Sequence, residues 1–327
     1  LIKVLSLDGG GIRGLIPSTI LAEIESRMGK PISHCFDLIA GTSTGGILAL
    51  GLTCPNSGGA PKYSAKELCA LYGDFGDDIF KSTFSRKLKT CGGLFHAKYS
   101  HHPLESVLTR YFSDVTLNDA LSPVLISSYD IENRVPFFFK SWKDDRRHIS
   151  MVDAARATSA APTFFEPHQV VVGEKVRTLI DGGVYLNNPA MSAYVEAKKM
   201  FTMEDEFMVV SIGTGENTRA IEYNEAKSWR MLSWTVPVIN IVLDGVSKAV
   251  DYQLKLVLGE NFMRLQTTLD RASDDIDRSD LINLSALESE AEEILAEQYK
   301  VIDSICEKLA ANPEKHQMPH VPKMINV

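Results

Sequence analysis

Cysteine is scarce in this chain, and nothing organises it. Cys35, Cys54, Cys69, Cys91 and Cys306 are odd in number, irregularly spaced and without a Cys-x-x-Cys pair. That pattern argues against a disulfide framework and for free thiols in a reducing compartment. His-Glu-x-x-His is missing, and His101-His102 stands without a ligand pattern around it, so neither a metal nor another cofactor is expected. No apolar run approaches the roughly 18 residues that a membrane span needs. No charged segment followed by an apolar stretch opens the chain. Leu1 already reads as the start of a strand, as it would if a native start, with any targeting signal, had been removed. A cytoplasmic protein with peripheral membrane association is the expectation. Basic excess is absent too: 34 Lys and Arg against 42 Asp and Glu leave a net charge of −8, which gives no nucleic-acid footprint. There is no internal repeat and no dividing linker. Residues 1–327 therefore read as one domain, with 216–327 as its C-terminal helical part.

What is present is an ordinary globular composition, 44% hydrophobic and 23% charged, and two glycine-rich turns near the start. Ile2 to Leu7 is a strand-length apolar run, followed at once by Asp8-Gly9-Gly10-Gly11-Ile12-Arg13-Gly14. Ile16, Ile20, Leu21, Ile24 and Met28 then recur on one helical face, closed by Gly29. A second unit repeats the plan: Phe36 to Ala40, then Gly41-Thr42-Ser43-Thr44-Gly45-Gly46, then Ile47 to Leu50. Two successive strand–loop–helix units predict a parallel sheet covered by helices.

Gly-x-Ser-x-Gly between a strand and a helix is the nucleophile-elbow pattern, in which a tight turn lifts a serine hydroxyl above the sheet edge. Ser43 then needs a group that takes its proton. If Asp181 were the acid of a Ser–Asp–His order, only His316 and His320 would remain downstream, both in the tail. His34, His96, His101, His102, His148 and His168 would need another topology, and none sits in a glycine-framed strand end. Asp181 does, after Leu179-Ile180 and before Gly182-Gly183. A free aspartate titrates near ~3.9 and is a poor base, but desolvation raises that value. By itself Asp181 could equally be a turn-forming residue. The third part is Gly9-Gly10-Gly11, whose backbone N–H groups suit a phosphate or the oxyanion of an acyl-transfer intermediate, with Arg13 adding charge nearby. It is no P-loop, since no Gly-Lys-Ser/Thr follows. Gly9-x-Gly11-x-x-Gly14 fits a dinucleotide fingerprint literally, but leaves the Ser43 elbow unexplained.

Taken together, these motifs resemble the patatin-like lipid acyl hydrolases. The resemblance rests on Asp8–Gly14, Gly41–Gly46 and Asp181-Gly182-Gly183 in that order, with Ala154–Phe165 and Ser211-Ile212-Gly213-Thr214-Gly215 in support, and covers about residues 1 to 215. It implies an α/β fold, three-layer α/β/α with a mostly parallel central sheet. It implies a Ser–Asp dyad with Ser43 as nucleophile and Asp181 as base. The oxyanion site would be Gly10 and Gly11, flanked by Gly9 and Arg13, with the Thr44 N–H helping on general elbow geometry. Plant members often have alanine where this chain has Gly183. The Ala154–Phe165 block is expected to be structural, its small residues allowing close approach. The implied activity is hydrolysis of fatty-acyl esters of phospholipids or lysophospholipids through an acyl-enzyme, without a metal. The alternatives are a histidine-triad esterase and a catalytically silent lipid- or nucleotide-binding module.

Two stretches bear on contact with lipid. Lys81 to His102 interleaves Lys81, Arg86, Lys87, Lys89 and Lys98 with Phe84, Leu88, Leu94 and Phe95. It reads first as a solvated loop and second as a basic–apolar flap meeting an anionic surface. Leu232 to Leu243 reads as a buried helix, although Trp229 and Trp234 would also suit a lipid-facing rim. Farther on, Asp270 to Asp280 reads as an acidic loop, Leu287 to Leu309 as one amphipathic helix, and the tail from Asn312 as loose.

Overall fold

The computed structural model describes residues 1–74, 76, 79, 97–216 and 220–316. Its centre is an eight-stranded sheet: β1 (Ile2–Leu7), β2 (Leu38–Thr42), β3 (Val124–Asp130), β4 (Val135–Lys140), β5 (His168–Val172), β6 (Lys175–Asp181), β7 (Phe207–Ile212) and β8 (Phe262–Leu265). The order is β5-β6-β3-β2-β1-β7-β8, with β4 paired to β3. The β2–β1–β7–β8 ladders and β2–β3 are parallel, whereas β4 and β6 run antiparallel to β3, and β5 to β6.

Helices cover both faces of this sheet, and the strand sequences show why. β1 and β7 are buried along their whole length. Leu5, Leu7, Met208, Val210 and Ile212 join one hydrophobic cluster, while Ile2, Val4, Phe207 and Val209 join another. Alternating side chains thus feed two cores, which is what strands sandwiched between helical layers require. The first core holds α1 (Leu15–Met28) and α3 (Thr44–Thr53); the second is closed by the helix Ala190–Met200 and by Val250 and Leu254 of the long helix Met231–Leu258. The chain is α/β/α in three layers.

Local chemistry fixes several helix ends. Gly29 takes φ 61° and caps α1. Ser64 and Glu67 exchange hydrogen bonds at the start of the helix Ala65–Asp74, a capping box. Ser150 accepts from the Asp153 N–H at 2.9 Å and opens the helix Met151–Thr158.

Some expectations are corrected. Leu232 to Leu243 is helical, but the expected burial fails at Trp234, Val238, Ile241 and Val242, which are between 38% and 49% exposed. The predicted helix over 287–309 is two helices, Leu281–Glu297 and Tyr299–Ala311, broken at Gln298. The tail is tied down at its start: Lys315 Nζ donates to Leu121 O at 2.8 Å and to the Ser122 hydroxyl at 2.5 Å, and the His316 N–H donates to Asp37 at 2.7 Å. Most of the basic stretch, with Lys81, Arg86, Lys87 and Lys89, lies outside the described residues, as does His320. Among the described residues, no helix is long and apolar enough to cross a membrane.

Candidate active site

Strand register brings Ser43 and Asp181 level with each other. Thr42 at the end of β2 pairs with Ser127 of β3, and the next residue, Ser128, pairs with Asp181 of β6. One strand lies between them, and at that level it carries only serines. Ser43 Oγ donates to Asp181 Oδ2 at 2.6 Å.

The elbow is strained and held. Ser43 sits at φ 53°, ψ −122°, as the N-cap of α3. A non-glycine residue there costs about 1–3 kcal/mol and needs its surroundings to enforce it. The Ser43 N–H donates to Thr158 Oγ1 at 2.9 Å, and that hydroxyl donates in turn to Ser127 O at 2.6 Å. The flanking glycines are steric necessities: a Cβ at Gly41 would lie 2.2 Å from Gly45 O, and one at Gly45 would lie 2.3 Å from Leu7 O. The elbow therefore packs directly on β1.

Asp181 is almost wholly buried, and its second oxygen accepts from the Gly183 N–H at 2.7 Å. Burial pushes its carboxyl up to about 6, against the opposing pull of the Ser43 hydroxyl and the Gly183 N–H. The carboxylate is thus a better base than a free aspartate and is still ionised at neutral pH.

The glycine loop is divided in its roles. The Gly9 N–H donates to Asn187 O at 3.1 Å and that of Ile12 to Ile276 O at 2.8 Å. Among the described residues no acceptor engages the N–H groups of Gly10 and Gly11. Gly11 has φ 58°, which glycine adopts without penalty. Thr44 is the first residue of α3, so its N–H has no carbonyl partner within that helix. Arg13 braces the loop, its guanidinium donating to Gly10 O at 3.4 Å and Gly215 O at 3.2 Å. The Thr214 hydroxyl donates to Gly9 O at 2.7 Å. Beneath the loop, buried Asp8 meets Arg264 of β8 through two hydrogen bonds, 2.6 and 3.1 Å, and Asp251 stands 3.3 Å from the Arg264 Nε.

Thr158, Asn187, Thr214 and Arg264 all position the site, and sequence reasoning did not single them out. Thr158 and Thr214 lie inside blocks that carried the resemblance, which was the available signal. Nothing in the local sequence marks Arg264.

Histidine plays no visible part here. His168 pairs with Asp153 at 2.9 Å, His101 with Glu166 at 3.1 Å, and His316 faces Asp37 at 3.5 Å. Among the described residues none is bonded to Ser43; His96 lies outside them. His101, His102 and Glu105 do bring ligand atoms within 4.8 Å of one another. However, Glu105 also faces Arg156 at 3.5 Å, and His101 opens a helix, where the dipole opposes a cation.

A narrow apolar cavity of about 40 Å³ opens beside Ser43 and Gly11, walled by Ile47, Leu104, Phe164, Phe165 and Ile276.

Known proteins resemble this chain. The family model "Patatin-like phospholipase" matches residues 5–194. Patatin-like protein 2 of Oryza sativa subsp. indica is 32% identical over 309 residues, 81% of this chain and 76% of that one. Patatin-like protein 4 of Arabidopsis thaliana is 30% identical, covering 90% and 83%. Patatin-2-Kuras 3 of Solanum tuberosum is 30% identical, covering 90% and 84%.

Proposed function

The chain belongs to the patatin-like phospholipase family, and from that premise we propose that it is a serine lipid acyl hydrolase acting through Ser43 and Asp181. The observation that carries the proposal is the 2.6 Å hydrogen bond from Ser43 Oγ to Asp181 Oδ2. It lies within the reach a general base requires.

Asp181 takes the hydroxyl proton as Ser43 attacks the ester carbonyl. The developing oxyanion is received by the N–H groups of Gly10 and Gly11, with Thr44 at the positive end of α3. Gly9 and Arg13 support that loop from behind. Collapse of the tetrahedral intermediate expels the alcohol, which leaves with the proton held by Asp181. Water, deprotonated by the same carboxylate, then attacks the acyl-enzyme, and the fatty acid departs as Ser43 regains its proton. The apolar walls beside Ser43 suit a hydrocarbon chain, which supports phospholipid or lysophospholipid esters as substrates.

The exposed row Trp234, Val238, Ile241 and Val242, spaced along one helical face, supports peripheral contact with a lipid aggregate. Residues 216–327 are read as part of the same catalytic domain, because β8 extends the sheet and Arg264 reaches Asp8 under the glycine loop.

Product profiling over lipid classes tests the proposal. Wild type should release fatty acid from glycerophospholipids, and a fluorophosphonate should label Ser43. Ser43→Ala should lose both. Hydrolysis that survives Ser43→Ala removes the mechanism. Failure of wild type to label favours a silent lipid-binding module. Loss of activity on replacing a single histidine would favour a triad.

A further inference from the structure

The cavity beside Ser43 is too small for the reaction proposed. About 40 Å³ has room for only a few waters, at roughly 10–15 Å³ each, whereas sites that engulf a small ligand hold roughly 300–1,000 Å³. A wall must therefore move to admit an acyl chain. Ile47 sits on the buried helix α3 and Leu104 on the helix His101–Phe112, both packed into the core. Ile276 instead belongs to the loop between β8 and the helix Leu281–Glu297.

That loop is anchored near both ends by buried side chains of the helix that follows it. Buried Glu290 accepts from the N–H groups of Asp270 at 3.0 Å and Arg271 at 2.8 Å. Buried Asn283 accepts from the Ser273 N–H at 2.8 Å and donates to Arg278 O at 2.7 Å. Residues 274–277 bridge these anchors across the mouth of the site. There the ties include the Ile12 N–H donating to Ile276 O at 2.8 Å, the Asp275 N–H donating to the Ser273 hydroxyl at 3.2 Å, and the Asp277 carboxylate accepting from the Tyr99 hydroxyl at 2.6 Å and from Lys98. Ile276 lies so close on Gly11 that a Cβ built there would be 2.1 Å from its carbonyl oxygen.

We propose that Ile276 is a gate that sets the acyl-chain length accepted at Ser43, carried on a strap that Asp277 latches shut. The proposal rests on the ester-hydrolase reading above. Shut, the strap occupies the space where chain carbons beyond the carbonyl would run. Open, it exchanges the Ile12–Ile276 and Asp277 contacts for a chain lying between Ile276 and the Phe164–Phe165 wall. Short acyl groups need little opening and long ones need more, so the cost of opening enters the discrimination between them.

The test compares wild type, Ile276→Ala, Ile276→Leu and Asp277→Asn on nitrophenyl esters from butanoyl to hexadecanoyl, each normalised to Ser43 labelled by a fluorophosphonate. Removing the bulk of Ile276 should raise the long-to-short ratio of kcat/KM by about tenfold, the low end of what one methylene is worth in an apolar pocket. Ile276→Leu conserves volume and should keep the wild-type profile. Asp277→Asn, which weakens only the latch, should shift the ratio in the same direction by about threefold. Should Ile276→Ala fail to fold, Asp277→Asn decides alone. Full labelling with a long-to-short ratio unchanged in both Ile276→Ala and Asp277→Asn overturns the gate and leaves the hydrolase reading standing. Absence of labelling in wild type overturns both.

Discussion

Among the buried aspartates at strand ends, Asp8 and Asp181 have carboxyls that are shifted alike. Asp8 follows β1, Asp181 ends β6, and burial pushes each up to about 6. Their partners differ. Asp8 faces a guanidinium, whose charge pulls against the desolvation and locks β1 to β8. Asp181 faces a hydroxyl and a backbone N–H, neither of which carries a compensating charge. The Asp8 pair ties sheet and glycine loop together; the Asp181 carboxylate is left with proton affinity to use. A raised pKa alone does not separate a structural aspartate from a chemical one; the charge of the partner does.

The sharpest break of this comparison is kinetic. Asp181→Asn should lower kcat by at least about 10³-fold with KM little changed, because the amide cannot take the Ser43 proton. Steady-state kinetics on a soluble ester reads this directly. Asp8→Asn should instead spare the proton transfer: it replaces the two-point carboxylate partner of Arg264, leaving Asp251 and Glu216 as that cation's charged neighbours. Activity per labelled Ser43 should stay within a few-fold of wild type.

Asp181→Asn should also change stability. With a folded value near 6 against 3.8 unfolded, the native state binds the extra proton between those values. Stability therefore falls as pH rises through that window, and the full penalty is present above it. Two units correspond to about 3 kcal/mol at most. Asp181→Asn should thus gain about 1–3 kcal/mol at pH 8, and the gain should fade by pH 4. The same ionisation predicts that wild-type kcat/KM climbs with pH and reaches half its plateau near pH 6.

Smaller effects test the supports. Thr158→Val removes the acceptor of the Ser43 N–H and should cost about 1–2 kcal/mol, with a larger loss in kcat than in substrate binding. Gly183→Ala places a Cβ 3.1 Å from Asp181 Oδ1, so a slight shift should accommodate it and activity should fall by less than about threefold.

The parallel α/β core was legible because its signals are local. Alternation in Ile2–Leu7, the 3.6-residue period from Ile16 to Met28 and the glycine punctuation at Gly29 each need only neighbouring residues. Leu232–Leu243 was misread as buried, because an apolar run specifies a helix without specifying what covers it. The 287–309 helix was drawn too long, since the break at Gln298 carries no proline or glycine to mark it.

By itself the sequence determined the elbow's form: only glycine tolerates the 2.2 and 2.3 Å approaches at positions 41 and 45, so Gly-x-Ser-x-Gly announces its geometry. It also pointed to Asp181 as the candidate base, since no histidine sits in a comparable setting and the resembled family implies that role. The tertiary structure decided the rest, because it depends on registers and distances between residues far apart in the chain. The β2–β3–β6 register sets Asp181 level with Ser43, Thr158 reaches across to hold the elbow, and Arg264 neutralises Asp8 from 256 residues away. Ile276 lies over Gly11 where the Ile12 N–H and two buried side chains of a later helix hold its loop.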